Sequence, residues 1–347
     1  MKAAVYYGIR NIRVEEIPLP ETGPGELLVK VHAAAICGTD LRIYNYGHFK
    51  IREGERRILG HELSGEIVET GSGAEGFKKG DRVSVAPNIG CGVCPNCRRG
   101  LNQLCPGYDA FGISLDGGFA EYMKIPRAAI VQGNVVKLPE GISPDQAVLV
   151  EPLSCCFNSW RALGTRPGDT VLIFGAGPIG ALHVMINRLA GATKIIVADI
   201  SAERLRQIRE YGADEVINSS EQDPAAEAAR LTEGQGPSVV ITACSVPAVQ
   251  QQALEIAGVE GRINFFGGMP KGKEAVTLNT NLVHYKQLKV LGTTGSTIND
   301  YLESMRIAAS GRLPLEKLVS RRFRIDEIND AFQYAAGGTG MKTFVGD

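Results

Sequence analysis

The stretch Asp169-Thr-Val-Leu-Ile-Phe-Gly-Ala-Gly-Pro-Ile-Gly180 predicts a strand, a tight turn and the start of a helix, in that order. Its apolar run is nearly continuous, which is typical of a parallel strand covered on both faces. Three glycines follow: Gly175 permits the turn, Gly177 lets a pyrophosphate approach the backbone, and Gly180 allows the helix to pack closely. The stretch therefore predicts a dinucleotide-binding α/β fold, and a glycine-rich turn without a ligand is the alternative.

The helix that follows the turn supports a nucleotide ligand. It begins at Pro178 and Ile179, and its first turn offers free N–H groups and partial positive charge to phosphates. Nineteen residues after Gly180, Asp199 ends the next apolar strand. A carboxylate there can accept hydrogen bonds from both adenosine ribose hydroxyls and repels a 2′-phosphate, so the sequence favours NAD over NADP. Arg204, one helical turn further on, weakens that preference.

The organisation of the chain changes near residue 165. Strands and helices alternate after that point, which predicts a doubly wound parallel sheet. The earlier residues predict short strands between glycine and proline turns, as in a β-rich, barrel-like domain. Because 347 residues exceed the size at which one core stops growing, we expect two domains. We predict a dinucleotide-binding domain over 151–294 and a β-rich domain made of 1–150 and 295–347.

The composition limits the class of partner. A formal net charge of −1 and a hydrophobic content of 44% give no reason to expect nucleic acid or a membrane surface as partner. No apolar run is long enough to cross a bilayer, and the first residues predict a strand and not a signal peptide. Four of the eight cysteines lie within 15 residues, which fits metal binding in a reducing compartment. We expect a cytoplasmic protein.

Cys91, Cys94, Cys97 and Cys105 predict a closed metal site. Four thiolates saturate a tetrahedral zinc ion and leave no position for a substrate, so the site would be structural. An iron–sulfur cluster is the alternative, since Cys-x2-Cys-x2-Cys also begins ferredoxin-type motifs. The gap of seven residues before Cys105 favours zinc.

Cys37, His61 and Glu62 are ordinary residues one by one, because a single cysteine is usually core and a His-Glu pair is usually a surface turn. Together with the other motifs they carry a resemblance. The sequence resembles the zinc-dependent medium-chain alcohol dehydrogenase family over essentially its whole length, and within it the polyol, sugar-alcohol and threonine dehydrogenases. The matching segments are Cys37–Asp40, Gly60–Glu62, Gly80–Val83, the four-cysteine segment, Gly117–Tyr122, Glu151–Leu153 and Gly175–Gly180.

The resemblance implies a metal-assisted oxidation. Cys37, His61 and Glu62 would bind a catalytic zinc, and Glu151 would be a fourth ligand, directly or through water. The zinc would act as a Lewis acid on an alcohol, whose hydride passes to the nicotinamide. Two zinc ions and one NAD per chain are therefore expected.

The resemblance also implies a Rossmann NAD-binding domain, a GroES-like catalytic domain and a homodimer or homotetramer. The nicotinamide would lie in the cleft between the domains, against the zinc, near Phe266, Thr293 and Thr294. The strand near Lys289 would be the edge at which two subunits extend one sheet.

The expected proton path starts at Thr39, two residues after Cys37. Its hydroxyl can both accept and donate a proton. Where the family often carries an outer histidine, this sequence has Arg42, which cannot take up a proton near neutral pH. His48 is a substitute for the outer position, or else a solvated loop residue.

The substrate is expected to be a polyol, a sugar alcohol or its phosphate, oxidised reversibly at a secondary alcohol. Threonine dehydrogenases usually carry a histidine where this chain has Pro87–Gly90, which argues against threonine. The alternatives are an L-threonine 3-dehydrogenase-like or other alcohol dehydrogenase, a zinc-independent reductase, and a non-catalytic nucleotide-binding protein. A group of polar and basic residues either binds a polyol or phosphate or forms a solvated basic loop. The group consists of Arg42, Tyr44, Tyr46, His48, Lys50, Arg52, Arg56 and Arg57.

Overall fold

One helix, Val150–Leu163, contains the division between the two units of this chain. The computed structural model describes residues 1–346. Unit 1 comprises Met1–Ser154 and the residues from Ser296 onward, and unit 2 comprises Cys155–Gly295. The division lies four residues after the boundary predicted from the sequence, because the helix runs across it without a turn residue to mark it.

Short strands and helices form the chain as far as the helix Val150–Leu163, which crosses from unit 1 into unit 2. The strands are β1 (Lys2–Gly8), β2 (Asn11–Glu16), β3 (Leu27–Ala35), β4 (Arg57–Ile58), β5 (Glu62–Thr70), β6 (Arg82–Val85), β7 (Asn88–Ile89), β8 (Asp109–Ala110), β9 (Tyr122–Ile125) and β10 (Val135–Lys137). The helices are α1 (Gly38–Tyr46), α2 (Pro95–Arg98), α3 (Arg127–Val131), α4 (Pro144–Val148) and α5 (Val150–Leu163). β1 pairs with β2 and β4 in a three-stranded sheet, and β3 pairs with β5 and β9 in a larger one.

Unit 2 is the doubly wound sheet that the sequence predicted. Its strands are β11 (Thr170–Phe174), β12 (Lys194–Asp199), β13 (Glu215–Asn218), β14 (Val239–Thr242), β15 (Arg262–Phe265) and β16 (Lys289–Gly292). Its helices are α6 (Pro178–Leu189), α7 (Ala202–Ile208), α8 (Pro224–Leu231), α9 (Pro247–Ile256) and α10 (Thr280–Tyr285). The strands are all parallel and follow the order β13-β12-β11-β14-β15-β16. The order reverses beside β11, where ligands of such sheets bind at the carboxyl ends of the strands.

The chain then returns to unit 1. Its last elements are α11 (Ile298–Ala309), β17 (Val319–Phe323), α12 (Ile328–Gly337) and β18 (Lys342–Val345). β18 pairs parallel with β17 and antiparallel with β3, which gives the main sheet the order β10-β6-β5-β3-β18-β17. The described residues contain no helix that is long and apolar enough to cross a membrane.

His183 lies on α6 inside the core of unit 2. Its side chain is fully buried, and its ring packs edge-on against that of Phe266, with 4.7 Å between the ring centroids. Neither ring nitrogen has a hydrogen-bond partner among the described residues. Burial without a partner lowers the pKa of His183 to about 3. The imidazole is therefore neutral in the folded protein over the whole physiological pH range.

Replacing His183 by leucine should reduce the acid sensitivity of unit 2. The unfolded chain binds a proton at this histidine below its ordinary pKa of 6.5, whereas the folded chain does so only near 3, so acid favours unfolding in that window. Between pH 8 and pH 5, the free energy of unfolding of the wild type should fall by about 2 kcal/mol more than that of H183L.

Denaturant unfolding followed by the fluorescence of Trp160 measures this difference, because the single tryptophan of the chain lies in unit 2. The exposed His284 provides the control variant, H284L, which should keep the pH dependence of the wild type. An H183L protein with that same pH dependence would contradict the assignment.

Candidate active site

The ends of β3 and β5 bring three chemically different side chains together. β3 ends at Ala35, which pairs with Glu62, the first residue of β5. Cys37 and His61 lie just outside those paired ends. As a result, ligand atoms of Cys37, His61 and Glu62 all lie within 4.8 Å of one another. A thiolate, an imidazole and a carboxylate are a donor set that suits zinc with room for a further ligand.

Asp40, which the sequence analysis did not single out, holds two members of this set. It is fully buried, and its Oδ2 accepts a hydrogen bond from the backbone N–H of Cys37 at 2.8 Å. Its Oδ1 accepts one from the N–H of Gly60 at 3.2 Å and lies 3.5 Å from Nδ1 of His61. Since Nδ1 faces this carboxylate, Nε2 is the ring nitrogen available to a metal.

The charges around His61 oppose the effect of its burial. Burial by itself lowers the pKa of His61, but Asp40 and then Cys37 raise it, and the result is a pKa well above the ordinary value. An environment that stabilises a positive imidazole also stabilises a cation held by it. The electrostatics therefore agree with the donor set.

Lys342 is a second buried group that the sequence analysis missed. Its Nζ lies 2.5 Å from both carboxylate oxygens of Glu62, and the two side chains are 3% and 0% exposed. Burial opposes the charge on Lys342, but Glu62 and Cys37 raise its pKa above the ordinary value. One signal was present in the sequence: a lysine that directly precedes the short apolar segment Thr343–Val345.

The remaining predicted residues of this region differ in burial and in whether they join the ligand set. Glu151 is buried in the first turn of α5, but it is not part of the set whose ligand atoms lie within 4.8 Å of one another. Thr39 is half-buried in the first turn of α1. Arg42 is exposed, and burial, followed by the charges of Lys50 and Arg42, lowers the pKa of the half-buried His48.

Two of the predicted substrate cations have partners within unit 1. Arg57 contacts Glu55 and lies 3.3 Å from Asp116, so this guanidinium supports the fold and is not a free anion site. Lys50 donates a hydrogen bond to the carbonyl of Tyr108 and lies 3.9 Å from the centre of its ring. The carboxylates beside Arg57 balance its charge, and substrate binding by the other cations of this loop stays a prediction.

The four clustered cysteines form the second group of metal-type ligands. Their Sγ atoms lie within 4.8 Å of one another. Backbone N–H groups of Cys91 and Cys94 donate to sulfur at 3.3 Å, and that of Cys97 does so at 3.4 Å. Amide donors at Val93 and Cys94 lower the pKa of Cys91 to about 6, whereas burial raises that of Cys97 to about 11. Four sulfurs without another donor type fit a closed structural zinc site.

The glycine-rich turn of unit 2 has the backbone that the sequence predicted. Gly175 has φ of +107°, a conformation that side chains disfavour. A Cβ on Gly180 would lie 1.9 Å from the carbonyl oxygen of Gly175, so the close approach of the helix requires glycine. A Cβ on Gly177 would meet only the guanidinium of Arg204, at 3.5 Å. The backbone at Gly177 is therefore open to a ligand.

Asp199 lies beside this turn at the end of β12. Its Oδ2 accepts a hydrogen bond from the backbone N–H of Ala176 at 2.7 Å, and its Oδ1 accepts one from the N–H of Ser201 at 2.8 Å. Each oxygen keeps a lone pair for a further donor. Two backbone N–H groups thus fix the position of the carboxylate.

Phe266, Thr293 and Thr294 follow β15 and β16, at the same carboxyl edge of the sheet as the glycine-rich turn. Thr293 accepts a hydrogen bond from the Asn264 side chain at 2.9 Å, and Thr294 is exposed. The structure therefore brings the predicted nicotinamide contacts to one edge of unit 2.

Comparison with known proteins gives matches over both units. Residues 23–140 match the model of the alcohol dehydrogenase GroES-like domain, and residues 178–310 match that of the zinc-binding dehydrogenases. L-Threonine 3-dehydrogenase of Pyrococcus abyssi is 38% identical over 99% of this chain and 97% of its own length. Sorbitol dehydrogenase of Bacillus subtilis is 34% identical over 96% of this chain and 93% of its own length.

A solved structure shows the same fold. It is that of a protein from Sinorhizobium meliloti 1021 bound to NADP, with a TM-score of 0.92 and 33% identity, covering 100% of this chain and 99% of that chain.

Replacing Cys97 by serine should release the zinc of the four-cysteine site and destabilise unit 1. Three remaining thiolates hold zinc less tightly, and the free energy of metal binding at a structural site is folding free energy. We expect a loss of one zinc per chain and of more than about 3 kcal/mol of stability. Elemental analysis and thermal unfolding measure both quantities.

The half-buried Cys244 of unit 2 provides the matched control, and C244S should keep the zinc content and the thermal transition of the wild type. A C97S protein that retained all of its zinc would show that these sulfurs do not bind it.

Proposed function

This chain belongs to the zinc-dependent medium-chain alcohol dehydrogenase family, and we therefore propose that it reversibly oxidises a secondary alcohol of a polyol or sugar alcohol with NAD. The observation that carries the proposal is the convergence of Cys37, His61 and Glu62 within 4.8 Å. The glycine-rich turn and Asp199 supply the cofactor side of the same reaction. Unit 2 binds the dinucleotide, and unit 1 binds the metal and the alcohol.

Cys37, His61 and Glu62 would hold a catalytic zinc, with Glu151 as a further ligand, directly or through water. A bound zinc ion would act as a Lewis acid toward the alcohol oxygen, and a bound nicotinamide would accept the hydride. Asp40, whose Oδ1 lies 3.5 Å from Nδ1 of His61, would favour the tautomer that leaves Nε2 free for the metal. Thr39, in the first turn of α1, would accept the proton of the alcohol while it donates its own hydroxyl proton to water.

The preference for NAD rests on the carboxylate of Asp199. It is anchored by two backbone N–H groups, so it cannot turn away from a ribose without losing both hydrogen bonds. A fixed anion at this position repels a 2′-phosphate. Arg204, whose guanidinium lies near Gly177, offsets part of this repulsion.

L-Threonine is the second candidate substrate, because an L-threonine 3-dehydrogenase is 38% identical to this chain over nearly the whole of both proteins. A sorbitol dehydrogenase is 34% identical, so relatives with either substrate class in their names match this chain. The stretch Pro87–Gly90 lacks the histidine expected of a threonine dehydrogenase, which favours the polyol. An assay of NADH formation with sorbitol and other polyols, polyol phosphates and L-threonine decides between them.

We also propose a homodimer or homotetramer in the cytoplasm. β16 is an edge strand of the sheet in unit 2, with β15 as its only partner among the described residues, so its outer side can extend the sheet into a second copy. The structure describes all eight cysteines as free, which fits a reducing compartment.

Replacing Cys37 or His61 by alanine should abolish turnover without loss of NAD binding. Each change removes a ligand of the catalytic zinc, and we expect kcat to fall at least about a thousandfold. Steady-state NADH formation, zinc content and NAD titration on the same samples test this expectation. H284A is the matched control for H61A, since His284 is exposed in unit 2, and it should retain turnover. Substantial turnover in C37A would refute the metal assignment.

Replacing Asp199 by alanine should reduce the preference for NAD over NADP. The change removes both the ribose acceptor and the repulsion of a 2′-phosphate, so the ratio of the two dissociation constants should shift about tenfold or more toward NADP. Titration with each dinucleotide measures the ratio. The exposed Glu221 gives the control variant E221A. An unchanged ratio in D199A would assign ribose recognition to another residue.

A further inference from the structure

We propose that Lys342 is a positioning residue of the metal centre: its ammonium group competes with zinc for the carboxylate of Glu62. Glu62 is thereby a ligand that can leave, and a position opens for the substrate. This inference rests on the proposed function, since it needs a metal at Cys37 and His61. It goes beyond that function because it assigns the opening of the site to a residue that binds neither metal nor substrate.

The geometry makes Lys342 a direct competitor. Its Nζ lies 2.5 Å from both Oε1 and Oε2 of Glu62, so one ammonium group engages the whole carboxylate. One Glu62 oxygen also belongs to the set of metal-type ligand atoms that lie within 4.8 Å of one another. The carboxylate would therefore be shared between the ammonium group and a bound metal, and a stronger bond to one would weaken its bond to the other.

The backbone keeps Lys342 in this position. β18 is antiparallel to β3, with Phe344 paired to Ala35 and the N–H of Ile36 donating to the carbonyl of Thr343 at 2.9 Å. Continuing this register places Lys342 level with Cys37. With 3% of its surface exposed, the side chain has no route to solvent that would release the carboxylate.

The charge balance explains why a cation is needed there. Lys342 interacts with three anionic groups, those of Glu62, Cys37 and Glu151. Its direct contact is with Glu62. Without the lysine, this buried carboxylate would lose its ammonium partner and would be held more tightly by a bound zinc.

The experiment measures zinc release to a chromogenic chelator from wild-type protein, K342M, K342M/E62Q and the control K30M. Lys30 is exposed on β3, so K30M removes a lysine from the same sheet without touching the centre. The kinetic phase of zinc release that is missing in C37A is the one that belongs to this site. The visible absorption of the Co²⁺-substituted proteins, with and without added imidazole, reports whether a coordination position is open.

We expect K342M to release zinc from this site at least about tenfold more slowly than the wild type, since outer-layer partners change metal affinity by that order. Its Co²⁺ spectrum should no longer respond to imidazole. In K342M/E62Q the competing carboxylate is gone, so the imidazole response should return and release should again be fast. K30M should match the wild type in both measurements.

Other outcomes overturn the proposal. Release from K342M at the wild-type rate or faster, with an unchanged imidazole response, would show that Lys342 does not compete for Glu62. If K342M does not fold but K342M/E62Q folds, open coordination in the double variant is the expected result, and closed coordination rejects the proposal. If neither folds, Lys342 has a purely structural role and the proposal is rejected.

The same samples separate this proposal from the proposed function. A wild-type protein with no metal at Cys37 and His61, or without alcohol-dependent NADH formation, would remove the function and this inference together. A wild type with both zinc ions and turnover, but with release unaffected in K342M, would remove the inference alone.

Discussion

The hydrogen-bonded register of β3, with β5 on one side and β18 on the other, decides which side chains meet in unit 1. A slip of one residue would turn Glu62 or Lys342 to the opposite face of its strand. Each buried charge would then lose its partner, at a cost of about 3–5 kcal/mol. The sheet therefore brings Glu62 and Lys342 together. Their ion pair in turn stabilises the observed register relative to registers shifted by one residue.

The proposed ligand sites of the two units are built from different parts of the chain. Unit 2 offers backbone: the turn at Gly175 and the close approach at Gly180 work because no Cβ is present. Unit 1 offers side chains, whose chemistry depends on which residues the strands bring together. A site formed by backbone groups tolerates many side chains around it. A site formed by side chains loses its chemistry when any one of them is replaced. This difference agrees with relatives that match the chain over both units but carry different substrate names.

The parts of the protein that were predicted from the sequence are those whose information is local. The strand, the glycine-rich turn and Asp199 lie close together in the chain, and the four cysteines lie within one loop, so spacing alone indicated their tasks. The pairing of Lys342 with Glu62 could not be predicted in this way, because the two residues are 280 positions apart. The sequence of neither strand determines the register in which they pair. Asp40 is local but looks like an ordinary acidic residue in the first turn of a helix. The contact of Arg57 with Asp116 could not be predicted either, because 59 residues separate the two in the chain.

The discontinuity of unit 1 has a consequence for how the protein is made on the ribosome. Unit 2 is a continuous segment, and its sheet joins strands that follow one another at short intervals, so it can form while synthesis continues. β18 is synthesised only after the whole of unit 2 has left the peptidyl transferase centre. Until it inserts beside β3, the carboxylate of Glu62 has no lysine beside it. During that interval the nascent chain carries the carboxylate of Glu62 without its ammonium partner, so the last strand to be synthesised completes the buried ion pair.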